Sequence, residues 1–69
     1  MDLIIDELKA DIASGKSIYI YGKKLDGSYK VNDSNLIKCT KNFIKFKDIR
    51  EQEIICISVD NIIGYKYAL

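Results

Sequence analysis

The sequence predicts an α+β fold: one N-terminal helix, then a bent, mostly antiparallel sheet of five or six short strands. Three observations predict it. The apolar period is helical before Ser14-Gly15 and becomes two after Lys16. Turn-forming pairs such as Asp26-Gly27 and Asp60-Asn61 then cut the chain into short runs. The absence of proline and the high isoleucine content argue for an ordered chain and against disorder. The 69 residues make one domain, with residues 1–15 as helix and residues 16–69 as a small β-barrel.

The helix is justified first. Asp2 is a good N-cap, and acids crowd the first two turns, where the helix dipole favours them. Leu8, Ile12 and the pair Ile4/Ile5 fall on one face. Gly15 supplies the left-handed conformation that ends a helix. The strands follow. Ser17 to Tyr21 alternates strictly, with Ile18 and Ile20 on one face and Tyr19 and Tyr21 on the other. Gly22 to Ser28 is a turn, Tyr29 to Val31 a short strand, and Asn32 to Asn35 a loop. Leu36 to Thr40 is a strand, with a tight turn at Lys41-Asn42. Phe43 to Lys47 sets Ile44 and Phe46 against Lys45 and Lys47. Ile54 to Val59 is apolar on nearly both faces, the pattern of a central buried strand. Ile62 to Tyr67 is the last strand.

A domain of this size buries roughly 60% of the surface its unfolded chain exposes, so a staple is expected. Disulfides are not expected to supply it. Met1 to Ala10 does not combine a basic start with an apolar run, so export is not indicated and a reducing, cytoplasmic location is expected. Cys39 and Cys56 then read as two buried free thiols, with a Cys39–Cys56 bridge as the alternative should their strands be neighbours. There is no histidine, and two cysteines cannot close a four-ligand zinc site, so no metal or other cofactor is expected. No apolar run approaches the ~20 residues that span a membrane. Self-association or a partner protein remains as the staple.

Catalysis is poorly provided for. Gly15-Lys16-Ser17 carries the last letters of a phosphate-binding loop. The first glycine of that motif is Ala10 here, and the order is helix then strand, the reverse of what cradles phosphate. A nucleophile normally needs a base, and the usual base is absent. Glu51 and Glu53 read as a solvated strand edge. The expectation is a protein that is not an enzyme.

Charge is the better guide. The net charge is +1, yet residues 1–11 sum to −3, residues 12–50 to +6 and residues 51–69 to −2. The basic middle also holds aromatics, which stack on bases while lysines neutralise phosphates. We therefore expect Lys23, Lys24, Lys45 and Lys47 to meet phosphate and Tyr19 or Tyr21 to stack on single-stranded nucleic acid. Lysine also blunts sheet edges against aggregation, and arginine occurs once, so the pattern also suits a plain solvated surface. Tyrosines equally suit protein interfaces, and Tyr65, Tyr67 and Leu69 are the expected homo-oligomer contact by strand addition.

Several of these residues carry a family resemblance. Ser17-Ile18-Tyr19-Ile20 followed by Gly22-Lys23-Lys24-Leu25-Asp26-Gly27 resembles the first hairpin of the bacterial Hfq proteins. Ile57-Ser58-Val59-Asp60-Asn61-Ile62 is similar to the second Sm signature, and Asn35-Leu36 and Asn42-Phe43 echo a step of the first. Ser58 and Val59 stand where the signature has arginine and glycine, the histidine segment of Hfq is absent, and the likeness spans about half the chain. The resemblance implies a small SH3/Sm-like barrel that assembles into rings and binds RNA. The functional expectation is a self-associating binding module that takes nucleic acid on its basic middle. The alternative is a phage- or plasmid-type small protein that binds and inhibits a host protein; the Ile-, Lys- and Asn-rich composition suits an AT-rich genome.

Overall fold

The computed structural model describes the backbone of residues 2–68 and the side chains of residues 5–68. The expected roles of the Asp2, Ile4 and Leu69 side chains lie outside the described residues. Helix α1 (Asp2–Ala13) buries Ile5, Leu8 and Ile12, the stripe that helical spacing dictates. It ends in paired backbone bonds, Gly15 N–H to the Ile12 carbonyl at 3.0 Å and Lys16 N–H to the Asp11 carbonyl at 3.1 Å. Gly15 closes this motif at φ +92°, where a Cβ would be strained.

Six antiparallel strands follow: β1 (Ile18–Gly22), β2 (Tyr29–Val31), β3 (Leu36–Cys39), β4 (Phe43–Lys47), β5 (Ile54–Ser58) and β6 (Ile62–Tyr67). They pair as two three-stranded sheets, ordered β2-β1-β6 and β3-β4-β5. A single 3-10 turn, Val59–Asn61, carries the chain from one sheet to the other. The α+β class expected from the sequence is therefore present.

Strand alternation sends one face of each sheet inward. Ile18, Ile20, Val31 and Ile62 from the first sheet meet Ile44, Phe46 and Ile57 from the second, and α1 adds Ile5, Leu8 and Ile12. The Tyr29 ring reaches across to Phe46 at 5.7 Å between centroids. The loop between β2 and β3 is stitched by its own side chains. Asn32 Oδ1 accepts the Ser34 N–H at 2.9 Å, and Asn35 Oδ1 accepts the Asn32 N–H at 2.8 Å. Asn35 Nδ2 donates to the carbonyls of Lys30 and Lys47, both at 2.9 Å, so one side chain ties the two sheets. Between β1 and the 3-10 turn, a Cβ on Gly22 would collide with the Asn61 carbonyl.

Three expectations are corrected. β5 is not a central strand: it pairs with β4 alone and lies at a sheet edge. Only Ile55 and Ile57 turn inward, while Ile54, Cys56 and Ser58 are exposed. An apolar run buried on one side and bare on the other has the same letters as one buried on both. The thiols are not both buried, because Cys39 faces inward beside Ile44 and Cys56 faces outward. Strand β4 separates them, and both are free. Glu51 and Glu53 sit in the turn before β5, not on a strand face.

Candidate nucleic-acid interface

The outer faces of the two sheets hold the residues that matter. On the first sheet, register sets Tyr19 directly opposite Lys30 on one side and Lys66 on the other. Directly opposed residues hold their Cβ atoms about 4.5–5.5 Å apart, so the three form one Lys-Tyr-Lys row across the sheet. In the next outward row, Tyr21 stands opposite Gly64. A Cβ there would lie 2.8 Å from the Tyr21 hydroxyl, so the ring occupies space that glycine leaves. Lys23 and Lys24 follow in the β1–β2 turn, both exposed, with Lys24 at φ +61°. Lys23 is anchored by its N–H, which donates to the Asn61 carbonyl at 2.8 Å.

The second sheet turns a different surface outward. Lys38 is directly opposite Lys45, and Lys45 opposite Cys56. Lys47 is opposite Ile54, and Phe43 opposite Ser58. Like charges directly opposed cost stability, so the Lys38–Lys45 pair holds positive charge together against its own repulsion. Among the described residues one ion pair forms, Lys16 to Asp11 at 3.5 Å, and it involves none of these lysines.

The sequence-predicted site therefore divides. Tyr19, Tyr21, Lys23 and Lys24 gather on and beside the first sheet, while Lys45 and Lys47 belong to the outer face of the second. The sequence does not mark Lys30 and Lys66 as partners of Tyr19. Lys66 lies in an acidic stretch of sequence, and only the β1–β6 register brings it beside Tyr19.

Tyr65 and Tyr67, expected at an oligomer contact, point to the helix side of β6. Both hydroxyls donate to Asp11 Oδ2, at 2.8 and 3.0 Å. Their rings meet edge to face at 6.2 Å, and Lys16 Nζ lies 5.0 Å from the Tyr67 ring centre. The Tyr65 hydroxyl bond, opposed by burial and joined by Tyr67 and Lys16, holds the Asp11 carboxyl below its ordinary value. Burial, then the bond to Asp11, pushes the Tyr65 hydroxyl well above the usual tyrosine range. For Tyr67 the bond to Asp11 comes first. This cluster ties α1 to β6. A groove of about 400 Å³ follows the β6 edge, lined by Glu7, Tyr21, Gly64, Tyr65, Lys66 and Tyr67.

No protein-family model matches the chain, and neither does any curated protein or solved structure at a significant level. Burial raises the Cys39 thiol above its ordinary value, with Lys9 pulling the other way, so it is a poor nucleophile. Among the described residues, no three His, Cys, Asp or Glu side chains cluster as a metal site would need. Nor is any described helix long and apolar enough to cross a membrane.

Proposed function

We propose that the chain is a small, non-enzymatic, cytoplasmic binding module that holds single-stranded nucleic acid on the outer face of β2-β1-β6. The observation that carries this reading is the register of Tyr19 between Lys30 and Lys66. Tyr19 offers a ring for a base, and the flanking lysines reach the phosphates on either side of it. Stacking on an aromatic side chain contributes about 1–3 kcal/mol per base and tolerates any sequence. Tyr21 extends the platform, and Lys23 and Lys24 extend its charge. In this reading β2 and β3 are two halves of one bent strand, as in a small Sm-like barrel, and the Asn32–Asn35 loop is the bend.

The test is fluorescence anisotropy with a labelled single-stranded oligonucleotide over a salt series. The wild type binds with a salt slope of about −0.7 for each phosphate neutralised. Tyr19→Ala lowers affinity at every salt concentration, and Lys30→Ala with Lys66→Ala lowers the slope. No binding, or unchanged affinity and slope in both variants, overturns the reading.

A second reading, a host-protein inhibitor, has one observation in its favour. Ile37, Ile49 and Ile54 are each about half exposed and line a shallow apolar groove of about 260 Å³ together with Leu36. Such a groove suits an apolar side chain from a protein target.

A further inference from the structure

We infer that β5 is a self-pairing edge, joined antiparallel to β5 of a second copy about a two-fold axis at Cys56. This goes beyond the nucleic-acid reading and rests on a different part of the molecule. The two sheets have four edge strands, and three of them carry devices that discourage pairing. Strand β2 is three residues long and holds Lys30. Strand β3 slips register between Leu36 and Lys38 and presents that lysine. Strand β6 slips register where Tyr21 gives way to Gly22 on its partner, and it presents Lys66. Strand β5 has none of these: Ile54-Ile55-Cys56-Ile57-Ser58 is uncharged and runs in unbroken register with β4.

Its hydrogen-bonding side is also open. Val59 N–H donates to the Asn42 carbonyl at 2.9 Å, in line with the β4 ladder. Alternation then sends the backbone groups of Ile57 and Ile55 to β4, and those of Cys56 to the free edge. A backbone edge of this kind, apolar on both faces, is a template for another strand.

Register selects the occupant. A two-fold axis at Cys56 sets all five β5 residues against five, with Ile55 opposite Ile57 of the second copy and Ile54 opposite Ser58. Inward residues meet inward residues, so the Phe46–Ile55 row continues into the second copy's Ile57 and Ile44. The shared ladder is these five uncharged residues, because β5 begins at Ile54 and the 3-10 turn takes over at Val59. A uniform slip by one residue would set apolar inner positions against outer ones. A β6 edge would instead bring Lys66 and a register slip into the contact.

The test combines light scattering with thiol cross-linking of the wild-type chain under reducing conditions before labelling. The expected result is a dimer of the 7.9 kDa chain. A short bismaleimide then joins the copies, and peptide mapping places the link at Cys56 to Cys56, not at Cys39. Cys56→Lys sets two cations directly across the axis and weakens self-association by at least about tenfold. A monomer at all concentrations overturns the inference. So does a closed ring larger than a dimer, or a dimer that does not cross-link through Cys56. These outcomes are independent of oligonucleotide binding, which reads the other sheet.

Discussion

The two sheets contribute to one core and turn different chemistry to solvent. In the first, tyrosines alternate with the core isoleucines of β1, and lysines flank them from both neighbouring strands. In the second, lysine faces lysine, and an edge strand leaves Ile54 and Cys56 bare. Inward faces follow a shared rule, because burial rewards apolar surface wherever it lies. Outward faces do not, because nothing in folding demands a Lys-Tyr-Lys row or an uncharged edge. That difference is the ground for proposing ligand binding on the first sheet and self-association on the second.

The sharpest way to break the first sheet is at its closest backbone approach. Gly22→Ala drives a Cβ into the Asn61 carbonyl, where backbone must move. We expect a loss of about 3 kcal/mol or more in urea unfolding. Gly64→Ala is the contrast: its Cβ meets only the end of the Tyr21 side chain, which can swing away. That variant stays folded and loses affinity for oligonucleotide. If Gly22→Ala and Gly64→Ala cost the same stability, the close approach at Gly22 is not what holds the 3-10 turn against β1.

The junction between sheets comes next. The Asn35 side chain makes three hydrogen bonds, two of them to strands of different sheets. At about 0.5–1.5 kcal/mol each, Asn35→Ala should cost roughly 2 kcal/mol. An unchanged denaturation midpoint would mean that the Asn35 side chain does not help to hold the sheets together.

These positions show how far the sequence could be read. Periodicity and turn residues together place α1 and all six strands, and periodicity assigns the inward residues outside β5, because side-chain direction repeats every two residues on a strand and about every 3.6 on a helix. It sets Tyr19 with Tyr21 and Lys45 with Lys47 on outward faces, as observed. Periodicity is silent on which strands are neighbours. Pairing Tyr19 with Lys66 joins residues far apart in the chain, and only the β1–β6 register reveals it. The status of β5 is lost for the same reason. Ile54 to Val59 reads as central, and only the sheet order shows that one side has no neighbour.

A smaller effect sits in the β1–β2 turn. Lys24 holds φ +61° with a Cβ, a conformation that costs a non-glycine residue about 1–2 kcal/mol. Lys24→Gly relieves it and should raise the melting temperature. If Lys24 also meets phosphate, the same variant weakens oligonucleotide binding and lowers its salt slope. Stability and affinity would then move in opposite directions, as expected for a lysine retained for its charge.

The smallest effect is a pH dependence from the Asp11 cluster, and its direction follows from the hydrogen bonds. In the unfolded chain Asp11 titrates near 3.8, and in the fold its value is lower, first because Tyr65 donates to it. Its contribution is therefore complete above 3.8 and is lost as pH falls through the lower folded value. Tyr65 behaves in the opposite sense. Its folded value lies above the ordinary 10.0, so its contribution is complete below 10.0 and is lost as pH rises through the folded value. Tyr65→Phe removes the donor and so should flatten both limbs while leaving the ring in place against the core. Urea midpoints across pH for wild type and Tyr65→Phe then converge in acid and at high alkalinity, and separate at neutral pH. Parallel profiles at all pH values would mean that α1 is held to β6 by the packing of Ile5, Leu8 and Ile12, with the hydroxyl bonds adding nothing.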